Sequence, residues 1–341
     1  MVTNPQGLID NRVAAIRYHQ KAGIPKAELD ISGGIDSAVM ACLLSLAIGP
    51  ENIILVHSRF STAKDQTNRA DQLARALGIP MNDFQGKRTW DALLDGMRDA
   101  IIKAHGHDVW EEAQARMAAD PTILGSIRSC LRAPIGRGFN RILGGGIRHG
   151  TGNECEDRWL RFYQKGGDGE VDSNPIAMLS KTEVYQLAAA LGHRFKGQVQ
   201  EILADTARAV PSADLWANGN GHTDEAEIQS WLGVPFTYGR VDPDTGEILH
   251  FGTIERVSRF LDGGYCSPEY LFQDDDPPAW GWAVGQAEDY FKGFSDPEIE
   301  AFLRAARRAE QATRHKWNPN IPTLGTRIEL RMEGILSERL D

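Results

Sequence analysis

Asp30-Ile31-Ser32-Gly33-Gly34-Ile35-Asp36-Ser37, followed by the apolar run Ala38-Val39-Met40-Ala41-Cys42-Leu43-Leu44, is the stretch around which this chain is organised. Extended residues lead into two adjacent glycines, and a helical pattern starts at once. Without a Cβ, Gly33 and Gly34 can turn sharply and bring backbone N–H groups close to an anion. The first turn of the following helix adds unpaired N–H groups and the positive end of its dipole. The junction therefore reads as a phosphate-sized nest. Ser32 and Ser37 supply hydroxyl donors, and Asp36 can hold a divalent cation against the same phosphates. An ordinary Gly-Gly turn with a serine cap is the competing account of these residues taken alone. The loop has neither the G-x-G-x-x-G spacing nor a Gly-Lys-Ser/Thr sequence.

Composition bounds the rest. The 341 residues are 41% hydrophobic and 25% charged, ordinary values for a soluble globular chain of one large or two small domains. No apolar run approaches the ~18 residues that a membrane helix needs. Nothing at the N-terminus reads as a signal peptide. Cys42, Cys130, Cys155 and Cys266 are scattered without a Cys-x-x-Cys pair, which argues against structural zinc, a redox motif or a disulfide framework and fits a reducing cytoplasm. A net charge of −10 disfavours broad nucleic-acid binding.

In chain order, residues 8–22 read as a helix ending at Gly23. The strand feeding the nest, Ala27 to Ile31, is less apolar than a buried parallel strand normally is. Asn52 to His57 is a short apolar strand, Asp65 to Leu77 a helix, and Pro80 to Phe84 a weak strand. Residues 91–132 read as mainly helical with a break near Asp120-Pro121. Leu143 to His149 then leads into Gly150-Thr151-Gly152-Asn153-Glu154-Cys155-Glu156-Asp157, a second strand-to-loop transition with acids at its end, or a merely solvated turn. This alternation predicts a doubly wound, mostly parallel α/β sheet with helices on both faces, plus a C-terminal helical and irregular extension. Such sheets bind ligands beyond the carboxyl ends of their strands.

Residues 166–175 carry too many glycines and acids for a regular element. Ser180-Lys181-Thr182-Glu183 has capping-box spacing before a helix expected to stop at Gly192. Lys181 in its first turn opposes the dipole, so it is either needed for an anion or a surface lysine. A long loop through residues 211–222 ends at Thr223, a candidate helix cap, and reads as a mobile lid or a passive connection. Residues 242–297 read as irregular, an insertion packed on the main domain or, as the alternative, an interface element. The acidic stretch at 274–278 reads as an exposed turn, and Trp280 and Trp282 form an aromatic cluster. A last helix spans 298–313 and runs into Arg314-His315-Lys316. The expected organisation is an α/β domain at 1–240, an insertion of unassigned role at 241–297, and 298–341 completing the first domain.

The glycine loop resembles the S-G-G-x-D-S loop of the PP-loop ATP pyrophosphatases, whose fold is Rossmann-like. The ordered set S-G-G-I-D-S at 32–37, G-T-G-N-E-C-E at 150–156, K-G-G-D-G-E-V-D at 165–172, N-P-I at 174–176, S-K-T-E at 180–183, P-S-A-D-L at 211–215, T-D-E at 223–225 and H-K at 315–316 narrows the likeness. It closely resembles ammonia-dependent NAD⁺ synthetase over residues 8 to 240 and the last helix. That resemblance implies a ligase that adenylates the nicotinic carboxylate of deamido-NAD⁺ with Mg-ATP, releases pyrophosphate, and lets ammonia displace AMP. It implies that Ser32, Gly33, Gly34, Asp36 and Ser37 hold the ATP phosphates, with Arg132, Thr151, Lys181 and Ser212 also in the ATP site. Asp36 and Glu156 are the implied Mg²⁺ ligands. Asp168 and Asp172, with Lys181, are the implied catalytic residues, and Lys165, His315 and Lys316 join the two aspartates in binding deamido-NAD⁺. Asp214, Asp224 and Glu225 fall in the implied lid. For His315 and Lys316 a cationic helix cap is the other reading. A homodimer with the dinucleotide at the subunit interface is also implied.

Gly152-Asn153 replaces the Asp-His of some members, one extra residue separates Glu156 from Asp168, and 242–297 is longer than compact members need. Only residues 1–31 precede the glycine loop, so the expected nitrogen source is free ammonia or a separate glutamine amidotransferase. The alternatives are another PP-loop enzyme, such as a tRNA thiolase or GMP synthetase, or a non-catalytic nucleotide sensor. A thiolase would bring cysteine pairs and a basic surface. GMP synthetase would lack the 165–176 segment, and a sensor would be expected to lose Asp36 and Glu156.

Overall fold

A computed structural model describes the chain except residues 22, 61–63, 213–222, 265, 274–277, 317–322, 324 and 338–341. The first half alternates α1 (Pro5–Gln20), β1 (Ala27–Asp30), α2 (Ile35–Ile48), β2 (Ile53–Arg59), α3 (Lys64–Leu77) and β3 (Met81–Gln85). Three helices, α4 (Lys87–His105), α5 (His107–Ala119) and α6 (Thr122–Ile142), then lead to β4 (Ile147–His149). The four strands are parallel in the order β3-β2-β1-β4, flanked by helices, as an α/β sheet requires. From β1 the chain winds one way to β2 and β3 and then crosses to β4 on the other side. The crevice at the carboxyl ends of β1 and β4 is therefore the switch point where such sheets bind ligands.

Helix α2 is the spine of the domain. Ten of its residues are buried, among them Val39, Leu43 and Leu44. Each fully buried leucine contributes about 1.5–3 kcal/mol. Residues along β1 alternate between two environments. Ala27 and Leu29 join the apolar core with α1, α2 and α3, while Glu28 and Asp30 point toward α6 and meet Arg148 of β4. Asn140 of α6 also donates to Glu28 (3.5 Å). A Cβ on Gly136 of α6 would lie 2.0 Å from the Arg148 guanidinium, so a side chain there would displace that guanidinium from its acids. The polar look of β1 is explained: its charges are neutralised from the neighbouring strand.

The second half supplies α7 (Lys181–Phe195), α8 (Gly197–Arg208), α9 (Asp224–Leu232), a hairpin of β5 (Arg240–Val241) and β6 (Ile248–His250), α10 (Thr253–Asp262), α11 (Pro268–Phe272), α12 (Trp280–Ala287), α13 (Asp296–Thr313) and α14 (Arg327–Met332). Several boundaries differ from expectation. Helix α1 starts earlier, because Asn4 accepts from the Gly7 N–H (2.9 Å) and Pro5 opens the first turn. Residues 91–132 break at Gly106 as well as at Asp120, and α6 continues to Ile142. Helix α7 runs through Gly192, where a Cβ would meet Gln200 of α8 at 3.3 Å, so this glycine serves close helix packing instead of a stop. The 242–297 region is not irregular: it holds α10, α11 and α12, built on Ile254, Val257, Phe260 and Leu261 at helical spacing. These helices pack with α13 around a second apolar cluster that also takes in Trp159, Leu160, Ile228 and Leu232. The acidic stretch 274–277 lies outside the described residues.

Candidate active site

The glycine nest forms at the carboxyl end of β1. Gly33 adopts φ +83°, and a Cβ there would stand 2.1 Å from the Gln66 carbonyl oxygen. Gly34 is extended and caps α2. Ser37 Oγ donates to the Gly34 carbonyl (3.0 Å) and Gly34 N–H donates to Ser32 Oγ (3.2 Å), so the two serines brace the turn. Arg69 Nε holds the Gly33 carbonyl from α3 (3.1 Å). A small recess opens beside the nest, lined by Asp30, Ile31, Ser32, His57, Ser58, Gln66 and Arg132. Asp30 Oδ1 and Ser58 Oγ are buried there without hydrogen-bond partners among the described residues. Orphaned polar atoms of this kind mark a place for a polar ligand group.

Across the crevice stand two carboxylates and one ammonium. Asp36 occupies the first turn of α2, and Glu156 lies on a single π-helical turn, Cys155–Leu160, that follows β4. Such turns often accompany functional sites. Lys181 Nζ reaches Asp36 Oδ2 at 2.6 Å and Glu156 Oε1 at 3.1 Å. Its position at the start of α7, unfavourable for the dipole, is offset by these two acids. Asn153 Nδ2 donates to Asp36 Oδ1 (3.1 Å), and Tyr238 OH donates to Glu156 Oε1 (3.3 Å). The Lys181 ammonium also sits 5.0 Å from the centre of the Tyr238 ring. Burial opposes charge on Lys181, yet Asp36 and Glu156 outweigh it and hold the ammonium well above its ordinary range. Burial pushes the Glu156 carboxyl up, against Lys181.

The donor set fits a hard divalent cation. Asp36 and Glu156 both turn oxygens toward one positive charge, here the ammonium. Among the described residues no group of three or more His, Cys, Asp or Glu side chains converges on a metal position. Two carboxylates suit Mg²⁺, which keeps waters and takes substrate phosphates to complete its shell.

A cavity of about 460 Å³ continues from Glu156 along the loop after β4. Thr151, Gly152, Asp157, Asp168 and Asn174 line it, and its far end reaches Met178 and Ile328. Asp168 accepts from Ser129 Oγ (2.7 Å) and from Gln164 N–H (2.8 Å) at the cavity wall. Asp172 is bound differently. Arg137 grips both its oxygens at 2.8 Å, and the Arg148 N–H adds a third bond (2.9 Å). Burial favours the neutral acid, but these donors win and keep Asp172 ionised below its usual range. Lys316 Nζ donates to the carbonyls of Arg161 (3.2 Å) and Tyr163 (2.9 Å), and Lys165 Nζ to that of His315 (3.2 Å). The 315–316 pair thus clasps the 161–165 segment. As placed, the Lys316 ammonium serves these backbone oxygens.

The 211–225 stretch is anchored at both ends. Gln66 Nε2 donates to the Ser212 carbonyl (3.0 Å), and the Asp224 N–H donates to Pro211 O (3.1 Å). Thr223 caps α9 by accepting from Ala226 N–H (3.1 Å), as its spacing predicted. Asp214 lies outside the described residues. Glu225 accepts from the Tyr238 N–H and from Arg240 Nη2, each at 2.8 Å. The base of the loop therefore connects through Tyr238 to Glu156. Tyr238, Ser58 and Arg137 had no local signature, since each acts through contacts across distant parts of the chain.

A family model described as NAD synthase matches residues 8–243. The NH(3)-dependent NAD(+) synthetase of Methanococcoides burtonii is 34% identical over 236 residues, which span 69% of this chain and 76% of that protein. The NH(3)-dependent NAD(+) synthetase of Trichlorobacter lovleyi is 32% identical over 223 residues, 65% of this chain and 67% of that one. Among solved structures, NMN synthetase from Francisella tularensis shares the fold across 93% of this chain and 99% of its own, with TM-score 0.56 and 19% identity. A glutamine-dependent NAD(+) synthetase from Cytophaga hutchinsonii shares it across 89% of this chain and 48% of its own, with TM-score 0.58 and 14% identity.

Proposed function

The chain belongs to the NAD synthase family, and from that premise we propose that it makes NAD⁺ from deamido-NAD⁺, ATP and ammonia. The observation that carries this reading is the Asp36–Lys181–Glu156 constellation beside the glycine nest at the sheet's switch point. A carboxylate is a poor electrophile at neutral pH, so amide formation needs prior conversion to an acyl adenylate. The nest formed by Ser32, Gly33, Gly34 and Ser37 binds the phosphates, with Arg132 and the orphaned Asp30 and Ser58 atoms facing the nucleoside side. When bound, Mg²⁺ held by Asp36 and Glu156 supplies charge neutralisation for the departing pyrophosphate. Lys181 adds a positioned cation to the phosphate charge that builds in the transition state. Thr151 opens the wall of the cavity that receives the nicotinic end.

Asp168 is the carboxylate placed to attract ammonium and take its proton, leaving ammonia to attack the acyl carbon and expel AMP. Asp172 is held ionised by Arg137, and we assign it to positioning that wall instead of moving a proton. Lys165, His315 and Lys316 shape the same wall through the bonds described above. Ser212, Asp224 and Glu225 form the base of a lid over the nucleotide, to which the sequence also assigns Asp214.

The four cysteines are free, in keeping with a reducing cytoplasmic setting, and no described helix is long and apolar enough to cross a membrane. We also infer a homodimer. Among the described residues, helices α4 and α5, 19 and 13 residues long, have none buried, although Leu93, Leu94, Met97, Ile101 and Ile102 of α4 recur at helical spacing. Sedimentation as a monomer at working concentration would remove that inference. The function is tested by incubating the chain with deamido-NAD⁺, ATP, Mg²⁺ and NH₄Cl, with glutamine and nicotinate mononucleotide as separate arms. NAD⁺ should appear only with ammonium, which should also be needed for pyrophosphate release beyond a single turnover, and Glu156→Gln should abolish both. Full activity of that variant would eliminate the metal assignment, and absence of NAD⁺ in every arm would eliminate the function.

A further inference from the structure

We propose that the 241–297 segment is a positioning element of the active site, acting through one polar stripe of α10: Glu255, Ser258, Arg259 and Asp262. The inference rests on the roles given above to Glu156 and Lys181. Positions 255, 258, 259 and 262 fall on one face of a helix, and the first three are buried.

Each of those two site residues is bracketed by this stripe. Glu255 accepts hydrogen bonds from Ser180 Oγ and Thr182 Oγ1, the neighbours of Lys181 on either side. Arg259 Nη2 donates to Glu154, and Arg158 Nη1 and Nη2 donate to Asp262 at 2.9 and 2.8 Å. Ser258 Oγ accepts from Trp159 Nε1 at 2.7 Å. The anchors flank Glu156: Glu154 caps the π-helical turn, and Arg158 and Trp159 lie within it. A single π turn lacks the repeating ladder that fixes an α-helix, so its side-chain directions depend on what holds it from outside. A wholly apolar contact would stabilise the fold at least as well as these buried polar groups do. What the polar stripe adds is direction. It sets the Glu156 turn and the Lys181 helix start against one rigid helix, and a Cβ on Gly239 would come within 1.8 Å of Thr182 Oγ1 in this packed region.

The test uses the full chain carrying Ser258→Ala or Glu255→Gln, with Glu156→Gln and Lys181→Met beside them. Mg²⁺-dependent ATP binding is measured by calorimetry, alongside kcat, the KM for the dinucleotide and the thermal midpoint. The expected result is a roughly tenfold loss in Mg²⁺-dependent ATP affinity and in kcat, with the dinucleotide KM unmoved and the protein still folded. If ATP affinity and kcat stay at wild-type values while only the melting point falls, the stripe is structural and the proposal is overturned. Should Glu255→Gln fail to fold, Ser258→Ala decides alone. Unchanged behaviour of Glu156→Gln and Lys181→Met would instead overturn the underlying reading of the site.

Discussion

The ammonium of Lys181 lies 2.6 Å from the carboxylate of Asp36, and the lysine side chain is almost wholly withdrawn from water. Replacing it by methionine leaves Asp36 facing Glu156 with no cation between them. Breaking a buried pair in this way costs about 3–5 kcal/mol, and losing a positioned charge lowers kcat about 10²–10³-fold. The sign with pH follows from Glu156, whose carboxyl burial already pushes up. A folded pKa above the unfolded value of ~4.3 penalises the folded state as pH rises past that value. Lys181→Met should therefore be less stable relative to wild type at pH 8 than at pH 5 in urea titrations. An equal deficit at both values would contradict the arrangement.

Gly33 is the position where the nest admits no side chain. Its φ of +83° disfavours any L-residue, and the Gln66 carbonyl stands 2.1 Å from where a Cβ would be. Gly33→Ala should lose more than about 1 kcal/mol of stability. It should also lose measurable ATP binding, because the loop must move away from α3. Gly78→Ala is the control: it too has positive φ, +70°, but nothing lies within 4 Å of its Cβ position. It should cost stability and leave ATP affinity unchanged.

Asp172 offers a second pH test with the opposite sign. Arg137 and the Arg148 N–H hold its carboxyl below the ordinary range against the pull of burial. The stability it contributes is present above the unfolded value of ~3.9 and is lost as pH falls through the lower folded value. Both side chains are about one-third exposed, so screening reduces the contribution to about 1 kcal/mol. Asp172→Asn should be destabilised by that amount at pH 7 and should converge on wild type as the pH falls through the lowered folded value and both carboxyl states become neutral. If its kcat falls as far as that of Asp168→Asn, Asp172 does more than position the cavity wall.

The parts of this site that were legible from sequence are those whose chemistry is local. Two glycines before an apolar helix announce a nest, and a lysine in a first turn is an anomaly that asks for nearby acids. Residue 238 gave no such signal, because Tyr238 meets Glu225 and Glu156 only after distant segments fold together, and the motifs holding Asn153 and Glu225 did not disclose which side chains those two residues meet. The helices at 253–287 were obscured for a different reason. Prolines, glycines and an acidic stretch between them dominate the local pattern, although Ile254, Val257, Phe260 and Leu261 carry the period of α10. Composition alone also undersold β1, since the charge that neutralises it arrives on another strand.

That strand gives the sharpest test of the fold itself. Glu28 is fully buried in the centre of the sheet, and its partner Arg148 comes from β4. Arg148→Met leaves the Glu28 carboxylate in a site whose burial already pushes its pKa up. The cost should be about 3–5 kcal/mol at neutral pH. It should shrink toward pH 5, where the carboxyl takes up a proton and the penalty above the unfolded value of ~4.3 is relieved. Adding Glu28→Gln removes the charge but keeps an oxygen for Asn140, which lies 3.5 Å away. The double variant should recover most of the loss and show little pH dependence between 5 and 8. A double-mutant cycle in urea reads the coupling directly. If Arg148→Met is no less stable than the double variant, Glu28 is not the charge that Arg148 serves, and Asp30, the other acid at that guanidinium, takes its place.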